Sequence, residues 1–171
     1  MTEIAFRPLA RDDLRTVHQW LQRPHIREWW GPRDTYAEVE QRYLPRIEGC
    51  EPVRMFFILL DEHPTGVIQT YRIDDYPEYW PSEAQSAQAG IDLYIADPEL
   101  LGRGLGPEII RRFTQEVVFR DPSVMACIAD PELANTRSVR AFEKAGFQAV
   151  GELDRAGDRP RVLVRLRRVV D

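Results

Sequence analysis

The alternation of apolar and polar residues predicts strands and helices along most of the chain. Near the N-terminus, Ile4, Phe6 and Pro8 alternate with polar residues, and this period indicates a first strand. Residues 10–13 then open a helix, which Pro24 ends. The apolar residues of this helix recur at the spacing of one buried stripe, and they are Leu14, Val17, Trp20 and Leu21.

The same pattern predicts alternating elements up to the C-terminus. Helices are predicted at residues 35–48, from 109 to about 120, and at 135–145, where Gly146 is a natural stop. Strands are predicted at residues 53–60 and 65–72, which form a hairpin around His63-Pro64, and at 90–95, 124–129, 148–153 and 162–170.

Two segments lack such a period. Residues 25–32 form a short segment with two adjacent tryptophans, of which we expect one to be core and one to line a cleft. Residues 74–89 are rich in acidic and polar residues and predict a long loop. Long loops in compact domains are usually functional, so this one is a candidate for ligand recognition.

Length and composition favour one compact domain, residues 1–171, with a sizeable core. The chain has 171 residues, of which 43% are hydrophobic and 30% charged. Two cysteines make no disulfide framework, and Cys127 lies in an apolar run that indicates a core position. We find no metal-ligand spacing, no signal peptide and no apolar run long enough to span a bilayer, so we expect a cytoplasmic protein without a metal or membrane partner.

The charge balance argues against nucleic acid as a partner. The net charge is −5, and the dense basic stretch, residues 159–168, alternates with apolar residues, which predicts a strand with arginines on its outer face. An acidic surface favours a cationic substrate over an anionic one. Many soluble proteins are mildly acidic, however, so the charge alone shifts the balance only slightly.

Three glycines between a predicted strand and a predicted helix form a candidate anion site. Glycine allows a positive φ and leaves the backbone N–H groups of Gly102, Gly104 and Gly106 uncovered. The following helix adds its positive N-terminal end, and Arg103 adds a charge at the rim. The segment lacks the full dinucleotide fingerprint and the Lys-Ser/Thr of a Walker loop. A tight turn without a ligand remains the alternative.

Two sequence blocks resemble the GNAT superfamily of acyl-CoA-dependent N-acyltransferases. Residues 101–106 (Leu-Gly-Arg-Gly-Leu-Gly) match that family's pyrophosphate loop, with Leu101 where Gln or Arg is usual. Residues 135–147 match its second block, an Asn followed by a helix that ends in aromatic-Glu-Lys-x-Gly-Phe. The resemblance implies an α/β (α+β) fold with a mixed, mostly antiparallel sheet of six to seven strands and about four helices.

Further segments resemble the aminoglycoside 6′-N-acetyltransferases within that superfamily. They are residues 25–31, 41–45, 90–92 and 130–131, and the likeness runs from about residue 6 to 153. The siderophore-pathway acyltransferases of lysine or hydroxylysine share some of these features. The resemblance implies acetyl-CoA as co-substrate, a small polycationic amine as partner, and a monomer or homodimer.

Acetyl transfer to an amine requires proton removal from the amine, polarisation of the thioester carbonyl and departure of the thiolate. Asp92, a carboxylate in an otherwise apolar strand, is the candidate catalytic residue, unless it lies on the solvent face of an edge strand. Many relatives carry a Tyr at the position of Phe142, and Phe cannot donate a proton. An unprotonated thiolate, water or Tyr94 are the alternatives.

The resemblance assigns the cofactor residues from three segments. They are Leu93, Tyr94 and Ile95 through their main chain, Leu101, Gly102, Arg103, Gly104, Leu105, Gly106 and Pro107 at the glycine turn, and Asn135, Phe142 and Lys144 on the following helix. Asn135 is equally suited to cap that helix, and Lys144 to a solvated surface position.

Carboxylates near aromatic rings are the residues that a polycationic substrate requires. The candidates are Trp30, Tyr43, Asp75, Glu78, Trp80, Asp92, Asp130 and Asp158. Core packing of Trp29 and Trp30, and a solvated loop for the acids of residues 74–78, are the alternatives.

Four functions therefore compete at this point. An aminoglycoside 6′-N-acetyltransferase is the leading hypothesis, and a siderophore-pathway N-acyltransferase is the second, although that branch usually carries His at the position of Asp92. A non-catalytic acyl-CoA sensor fits Phe142, and an enzyme for protein or peptide amines is common in this fold.

Overall fold

The computed structural model describes residues 2–31, 34–80 and 86–169. Within them it contains helices α1 (Leu14–Leu21), α2 (Pro24–Trp30), α3 (Tyr36–Ile47), α4 (Leu105–Phe113) and α5 (Thr136–Lys144), and strands β1 (Ile4–Pro8), β2 (Val53–Leu60), β3 (His63–Arg72), β4 (Gln88–Ile95), β5 (Ala126–Ala129), β6 (Gln148–Leu153) and β7 (Arg161–Arg167).

The strands form one seven-stranded sheet in the order β1-β2-β3-β4-β5-β7-β6. β4 and β5 run parallel, whereas β1 and β2, β5 and β7, and β6 and β7 run antiparallel. This mixed, mostly antiparallel sheet with its helices confirms the fold class predicted from the sequence. Among the described residues no helix is long and apolar enough to cross a membrane.

The chain is divided into two compact units, Met1–Thr70 with Asp92–Leu100, and Tyr71–Ile91 with Leu101–Asp171. Since β3 spans residues 63–72 and β4 spans 88–95, both strands contribute residues to both units. The prediction of a single domain stays a prediction.

In the first unit, the predicted helical stripe forms the inner face of α1. Leu14, Val17, Trp20 and Leu21 are all buried there, and the Trp20 ring lies 5.2 Å from the ring of Phe57 in β2. The β2–β3 hairpin turns through Asp61 and Glu62, both with positive φ. Two such residues are what a two-residue hairpin requires.

Pro24 begins a helix rather than only ending one, which corrects the sequence prediction. Pro24 is the first residue of α2, a position where its fixed φ fits and its missing N–H costs nothing. The segment with the two tryptophans is therefore helical up to Trp30. Arg23 donates to the carbonyl of Ala96 at 2.5 Å, and His25 Nε2 lies 3.1 Å from the carbonyl oxygen of Ile95, so α2 is held at the end of β4.

Helix α3 matches the prediction for residues 35–48 within one residue at each end. A capping box begins it: Thr35 Oγ1 accepts from the N–H of Glu38 at 3.3 Å, and Glu38 Oε2 accepts from the N–H of Thr35 at 2.7 Å. Thr35 and Glu38 are three residues apart, and a Thr followed at that distance by a Glu is the sequence signature of a capping box.

In the second unit, β5 is covered on both faces. All four of its residues are buried, and Cys127 is fully inaccessible, which confirms its predicted core position. The helix predicted from 109 to about 120 is α4 followed by a π-helical turn at Thr114–Val118, where Thr114 donates to the carbonyl of Ile110 at 2.8 Å.

The predicted last strand is β7, but its arginines are only partly exposed. Arg161 and Arg165 are half-buried and Arg167 is exposed, whereas Val162, Leu163 and Val164 are buried in succession. The strand is thus covered on both faces, and a strand in that situation shows no clean alternation. The predicted loop at residues 74–89 begins with a 3₁₀ turn at Ile73–Asp75 and ends where β4 starts at Gln88. Its residues 81–85, like Val170 of the last predicted strand, lie outside the described residues.

Gly66 generates a prediction about stability. A Cβ at this position in β3 would lie 2.3 Å from the carbonyl oxygen of Tyr94 in β4, and a backbone atom cannot move aside cheaply. We expect Gly66→Ala to lower the free energy of unfolding by about 2–3 kcal/mol and the melting temperature by roughly 5–10 °C. Gly151→Ala is the matched control, since a Cβ there meets nothing within 4 Å. Equal melting temperatures for the two variants would contradict this close packing.

Candidate active site

The turn before α4 depends on glycine because of its backbone conformation. Gly102 has φ +78° and Gly104 has φ +81°, both in the left-handed region that side chains rarely adopt. A Cβ at either residue meets nothing within 4 Å, so conformation and not space selects glycine here. This geometry is the one expected for a loop whose backbone, rather than its side chains, faces a ligand.

The N-terminus of α4 is suited to an anion. Gly104 is its N-cap and supplies no side-chain acceptor, and the first amides of a helix have no acceptor within the helix. Pro107 lacks an N–H and so leaves the amides of Leu105 and Gly106 as the first donors. Together with the helix dipole and the exposed Arg103, this arrangement fits a pyrophosphate. Leu101, half-buried at the start of the turn, adds no polar group.

The third glycine has a different role. A Cβ on Gly106 would lie 3.5 Å from the Cβ of Ala141, so Gly106 lies where α4 approaches α5. On α5, Asn135 Oδ1 accepts from the N–H of Ser138 at 3.1 Å, and Asn135 is therefore the N-cap that the sequence allowed. Whether it also contacts a ligand stays a prediction.

Two further α5 residues of the predicted cofactor set differ in exposure. Phe142 is only 3% exposed and packs edge-on against Phe147 with ring centroids 5.2 Å apart, so its role in the fold is core packing. Lys144 is exposed at the end of the helix, and its carbonyl oxygen accepts from Arg111 at 3.3 Å.

Asp92 lies inside a central strand. β4 lies between β3 and β5 in the strand order, so it is not an edge strand, and its pairing with β5 covers Gln88–Gly90, before Asp92. The Asp92 side chain is half-buried, and its Oδ2 accepts from the amide nitrogen of Gln69 at 2.9 Å. A carboxylate at this depth requires such a donor, and the bond fixes its orientation.

A polar chain continues behind Asp92 within the first unit. Arg46 of α3 donates to Gln69 Oε1 at 3.3 Å and to Glu51 Oε2 at 3.1 Å. Gln69 is itself buried. We did not identify Gln69 from the sequence, although a glutamine within the apolar run of β3 is a signal that could have found it.

Tyr94 follows Asp92 by two residues and therefore lies on the same face of β4. Its ring is buried, edge-on to Trp30 at 4.9 Å and to Trp20 at 6.5 Å. Within the described part of the chain, its hydroxyl has no hydrogen-bond partner. Burial raises the pKa of this hydroxyl well above its usual value. Leu93 and Ile95 alternate with it and are half-buried.

Trp29 and Trp30 are both half-buried, so the expectation of one core and one cleft tryptophan is wrong. The buried residue of α2 is Ile26. Tyr43 of α3 is buried, with the guanidinium groups of Arg42 and Arg46 at 5.9 and 5.5 Å from its ring centroid.

In the second unit, Trp80 lies in the core and not on an open face. It packs with Ile73, Ile128 and Leu163, and it is 5% exposed. A substrate could therefore contact only the small exposed part of the Trp80 ring. The predicted acids Asp75 and Glu78 are exposed on the segment before it.

The other two predicted acids of this unit are bound by arginines. Asp130 accepts from Arg155 at 3.1 Å and from the hydroxyl of Tyr79 at 3.3 Å, and burial raises its pKa against the opposing effect of Arg155. Asp158 accepts from Arg161 at 2.9 Å, and this bond lowers the pKa of Asp158. The sequence did not point to Arg155.

Comparisons with known proteins identify one family. The family described as acetyltransferase (GNAT) domain matches residues 10–155. The aminoglycoside N(6′)-acetyltransferase type 1 of Klebsiella pneumoniae is 36% identical over 152 residues, covering 86% of this chain and 75% of the relative. The lysine N-acyltransferase MbtK of Mycolicibacterium paratuberculosis is 28% identical, covering 88% and 67%.

A solved structure adds a close match of the fold. The crystal structure of aminoglycoside acetyltransferase AAC(6′)-Ib with coenzyme A and kanamycin superimposes with a TM-score of 0.88 at 34% identity, covering 97% of this chain and 95% of that one.

Tyr94 and Tyr43 make a matched pair for a stability test. Tyr94→Phe removes a buried hydroxyl without a partner, so we expect the free energy of unfolding to rise by about 1 kcal/mol at neutral pH. Tyr43→Phe removes a hydroxyl that bonds Arg42. We expect this variant to have a free energy of unfolding lower by about 1 kcal/mol. Chemical denaturation measures both changes, and a loss of stability in Tyr94→Phe would contradict the unsatisfied hydroxyl.

Tyr94→Phe should also differ from the wild-type protein in the pH dependence of its stability at alkaline pH. Because the folded-state pKa of Tyr94 is raised, the unfolded chain loses this proton first, at about pH 10. The stability that depends on the protonated hydroxyl is therefore complete below about pH 10 and is lost as the pH rises further. Tyr94→Phe should lack this part of the decline, measured as unfolding free energy against pH.

Proposed function

The chain belongs to the GNAT acetyltransferase family, and from that premise we propose that it transfers the acetyl group of acetyl-CoA to the 6′-amino group of an aminoglycoside. The observation that carries the proposal is the carboxylate of Asp92, half-buried in the central strand β4 and fixed by Gln69. The relatives named as aminoglycoside N(6′)-acetyltransferases support the class of substrate. Acetyl-CoA supplies an activated thioester.

For the cofactor, we propose that the glycine turn holds the pyrophosphate through its main chain. The positive φ of Gly102 and Gly104 and the uncapped start of α4 support this assignment. Because the backbone provides the donors, the replacement of the usual Gln or Arg by Leu101 costs one side-chain contact and leaves the cradle. Leu93, Tyr94 and Ile95 are proposed to contact the pantetheine end through their main chain.

For the amine, we propose that Asp92 receives the proton that the attacking nitrogen has to lose. An ammonium group has no lone pair with which to attack, and a carboxylate held in one orientation both attracts the cation and accepts its proton. Gln69 acts as a positioning residue, since its amide donates to Oδ2 and its own carbonyl oxygen is bound by Arg46.

The leaving thiolate takes its proton from neither Phe142 nor Tyr94. Phe142 has no proton to give. Tyr94 keeps its proton, but with a pKa well above 10 it is a weaker acid than a thiol, whose pKa is about 8.5. Tyr94 is thus too weak an acid to protonate the thiolate, and water supplies the proton.

Recognition of the rest of the substrate is assigned to carboxylates and aromatic rings. Asp75 and Glu78 are exposed and attract a polycation at long range. Trp30, half-buried beside Tyr94, offers a ring edge or face. The remaining proposed contacts are Tyr43, Trp80, Asp130 and Asp158.

The second candidate is acylation of a lysine-type amine, favoured by the similarity to MbtK over 88% of this chain. Asp92 stands where that branch usually carries His, which favours the aminoglycoside. We further propose a cytoplasmic enzyme that acts as a monomer or homodimer and binds no nucleic acid.

A substrate panel tests the function directly. With acetyl-CoA present, we expect thiol release with kanamycin-type aminoglycosides that carry a 6′-amine and none with analogues that carry a 6′-hydroxyl. Lysine, hydroxylysine and peptides serve as the competing amines in the same assay. Turnover of those amines alone would replace the proposed function by the second candidate.

Variants of Asp92 and Gln69 test the mechanism. Asp92→Asn keeps the shape and removes the proton acceptor, so we expect kcat to fall at least about 100-fold with KM for acetyl-CoA unchanged. Gln69→Leu keeps the volume and removes the donor, so we expect a smaller loss, about tenfold in kcat. Gln115→Leu is the control, because Gln115 is exposed and lies outside the proposed site. Near-normal kcat in Asp92→Asn would exclude its role.

A further inference from the structure

Arg155 lies in a cluster with Asp130, Tyr79 and Trp80, here called the Asp130 cluster. One guanidinium nitrogen donates to Asp130 Oδ2 at 3.1 Å, and another donates to the carbonyl oxygen of Tyr79 at 3.0 Å. The guanidinium carbon lies 3.8 Å from the ring centroid of Tyr79 and 5.6 Å from that of Trp80. The arginine thus has a carboxylate, a carbonyl and two aromatic rings around it.

These partners are the ones that a substrate ammonium requires. Ammonium groups bind carboxylates by charge-assisted hydrogen bonds, and they bind to the faces of Tyr and Trp. The Tyr79 hydroxyl adds a third bond to the cluster by donating to Asp130 Oδ2 at 3.3 Å. A cationic side chain of the protein therefore occupies a site that is chemically complete for a cation.

The depth of Asp130 explains why a cation is held there. The Asp130 side chain is 4% exposed, and a carboxylate so deep is costly unless it is paired. Arg155 is less deeply placed, with 24% of its side chain exposed to solvent. Burial also raises the pKa of Asp130, and the hydrogen bond from Arg155 opposes that rise.

The neighbouring acids Asp158 and Glu132 are bound by arginines other than Arg155. Arg161 binds the carboxylates of Asp158 and Glu132 and, on Asp130, only the main-chain oxygen, at 3.1 Å. Arg159 binds Glu132 at 3.1 Å and is mostly exposed. Arg155 is thus the arginine bonded to the Asp130 carboxylate among the described residues.

We propose that Arg155 is a specificity-determining residue, an internal cation that competes with a substrate ammonium for Asp130. This inference rests on the proposed function, since it assumes a polycationic substrate. A substrate ammonium can bind the Asp130 carboxylate only when the guanidinium of Arg155 has left it. This competition lowers the affinity of the enzyme for polyamines. Replacing Arg155 by a neutral donor opens Asp130 to the substrate.

The test compares a neutral and a charged replacement. Arg155→Gln keeps an N–H donor for the Tyr79 carbonyl and removes the charge, whereas Arg155→Lys keeps the charge. We expect Arg155→Gln to lower KM for kanamycin about fivefold to tenfold with kcat within about twofold, the scale of one partly buried ion pair. Arg155→Lys should leave KM near the wild-type value.

Two controls isolate the effect at Asp130. Arg159→Gln makes the same change in net charge near the cluster and should change KM less than about twofold. The double variant Arg155→Gln with Asp130→Asn should lose the gain, because the opened carboxylate is gone. Calorimetric Kd values for kanamycin without acetyl-CoA give a readout that does not depend on turnover.

Each outcome decides the question. An unchanged or raised Kd and KM in Arg155→Gln, at a wild-type melting temperature, overturns the inference and makes Arg155 a clamp for the segment of Tyr79. If Arg155→Gln does not fold, Arg155→Ala is measured by the same criterion. Failure of both to fold also overturns it, because a side chain needed for folding cannot be displaced by substrate. The proposed function fails separately, when the wild-type enzyme acetylates no aminoglycoside.

Discussion

The Asp92 carboxylate is half-buried in β4, and a charge in that position has to be met by hydrogen-bond donors. The structure supplies one from the adjacent strand, and then supports that donor in turn with Arg46 and Glu51. The polar chain costs apolar packing at Gln69, in the middle of β3. It is stabilising only because each of its bonds is made, since a buried polar network that is partly satisfied is worse than none.

The cofactor side of the proposed site depends on a different kind of constraint. Its specificity comes from backbone conformation, set by the positive φ of Gly102 and Gly104 and by the uncapped start of α4. Backbone donors are indifferent to the side chains around them, so a substitution such as Leu101 is compatible with the same ligand. Gly106 shows that adjacent glycines need not share a reason, because it serves the contact of α4 with α5.

Local structure could be predicted from the sequence, whereas the partners of the polar side chains could not. Periodicity placed the buried stripe of α1 and the bounds of α3, because such patterns act over a few residues. Gln69 and Asp92 are 23 positions apart, and Asp130 and Arg155 are 25 apart. Such pairs depend on strand register and on loop paths that no local period encodes. The same holds for Trp80: its acidic neighbours indicate a loop, but its ring packs in a core with residues distant in the sequence.

Asp130 and Asp92 differ in the kind of partner that holds each carboxylate. Asp130 is fixed by a guanidinium, which orients the carboxylate and cancels its charge in the same contact. Asp92 accepts a hydrogen bond from the neutral amide of Gln69, and that contact orients the carboxylate. An acid of the first kind contributes to the fold, and a ligand cation has to compete for it. An acid of the second kind is held in one orientation by a neighbour that carries no charge. The sequence shows both simply as Asp, and their roles are separated by the residue that each one bonds.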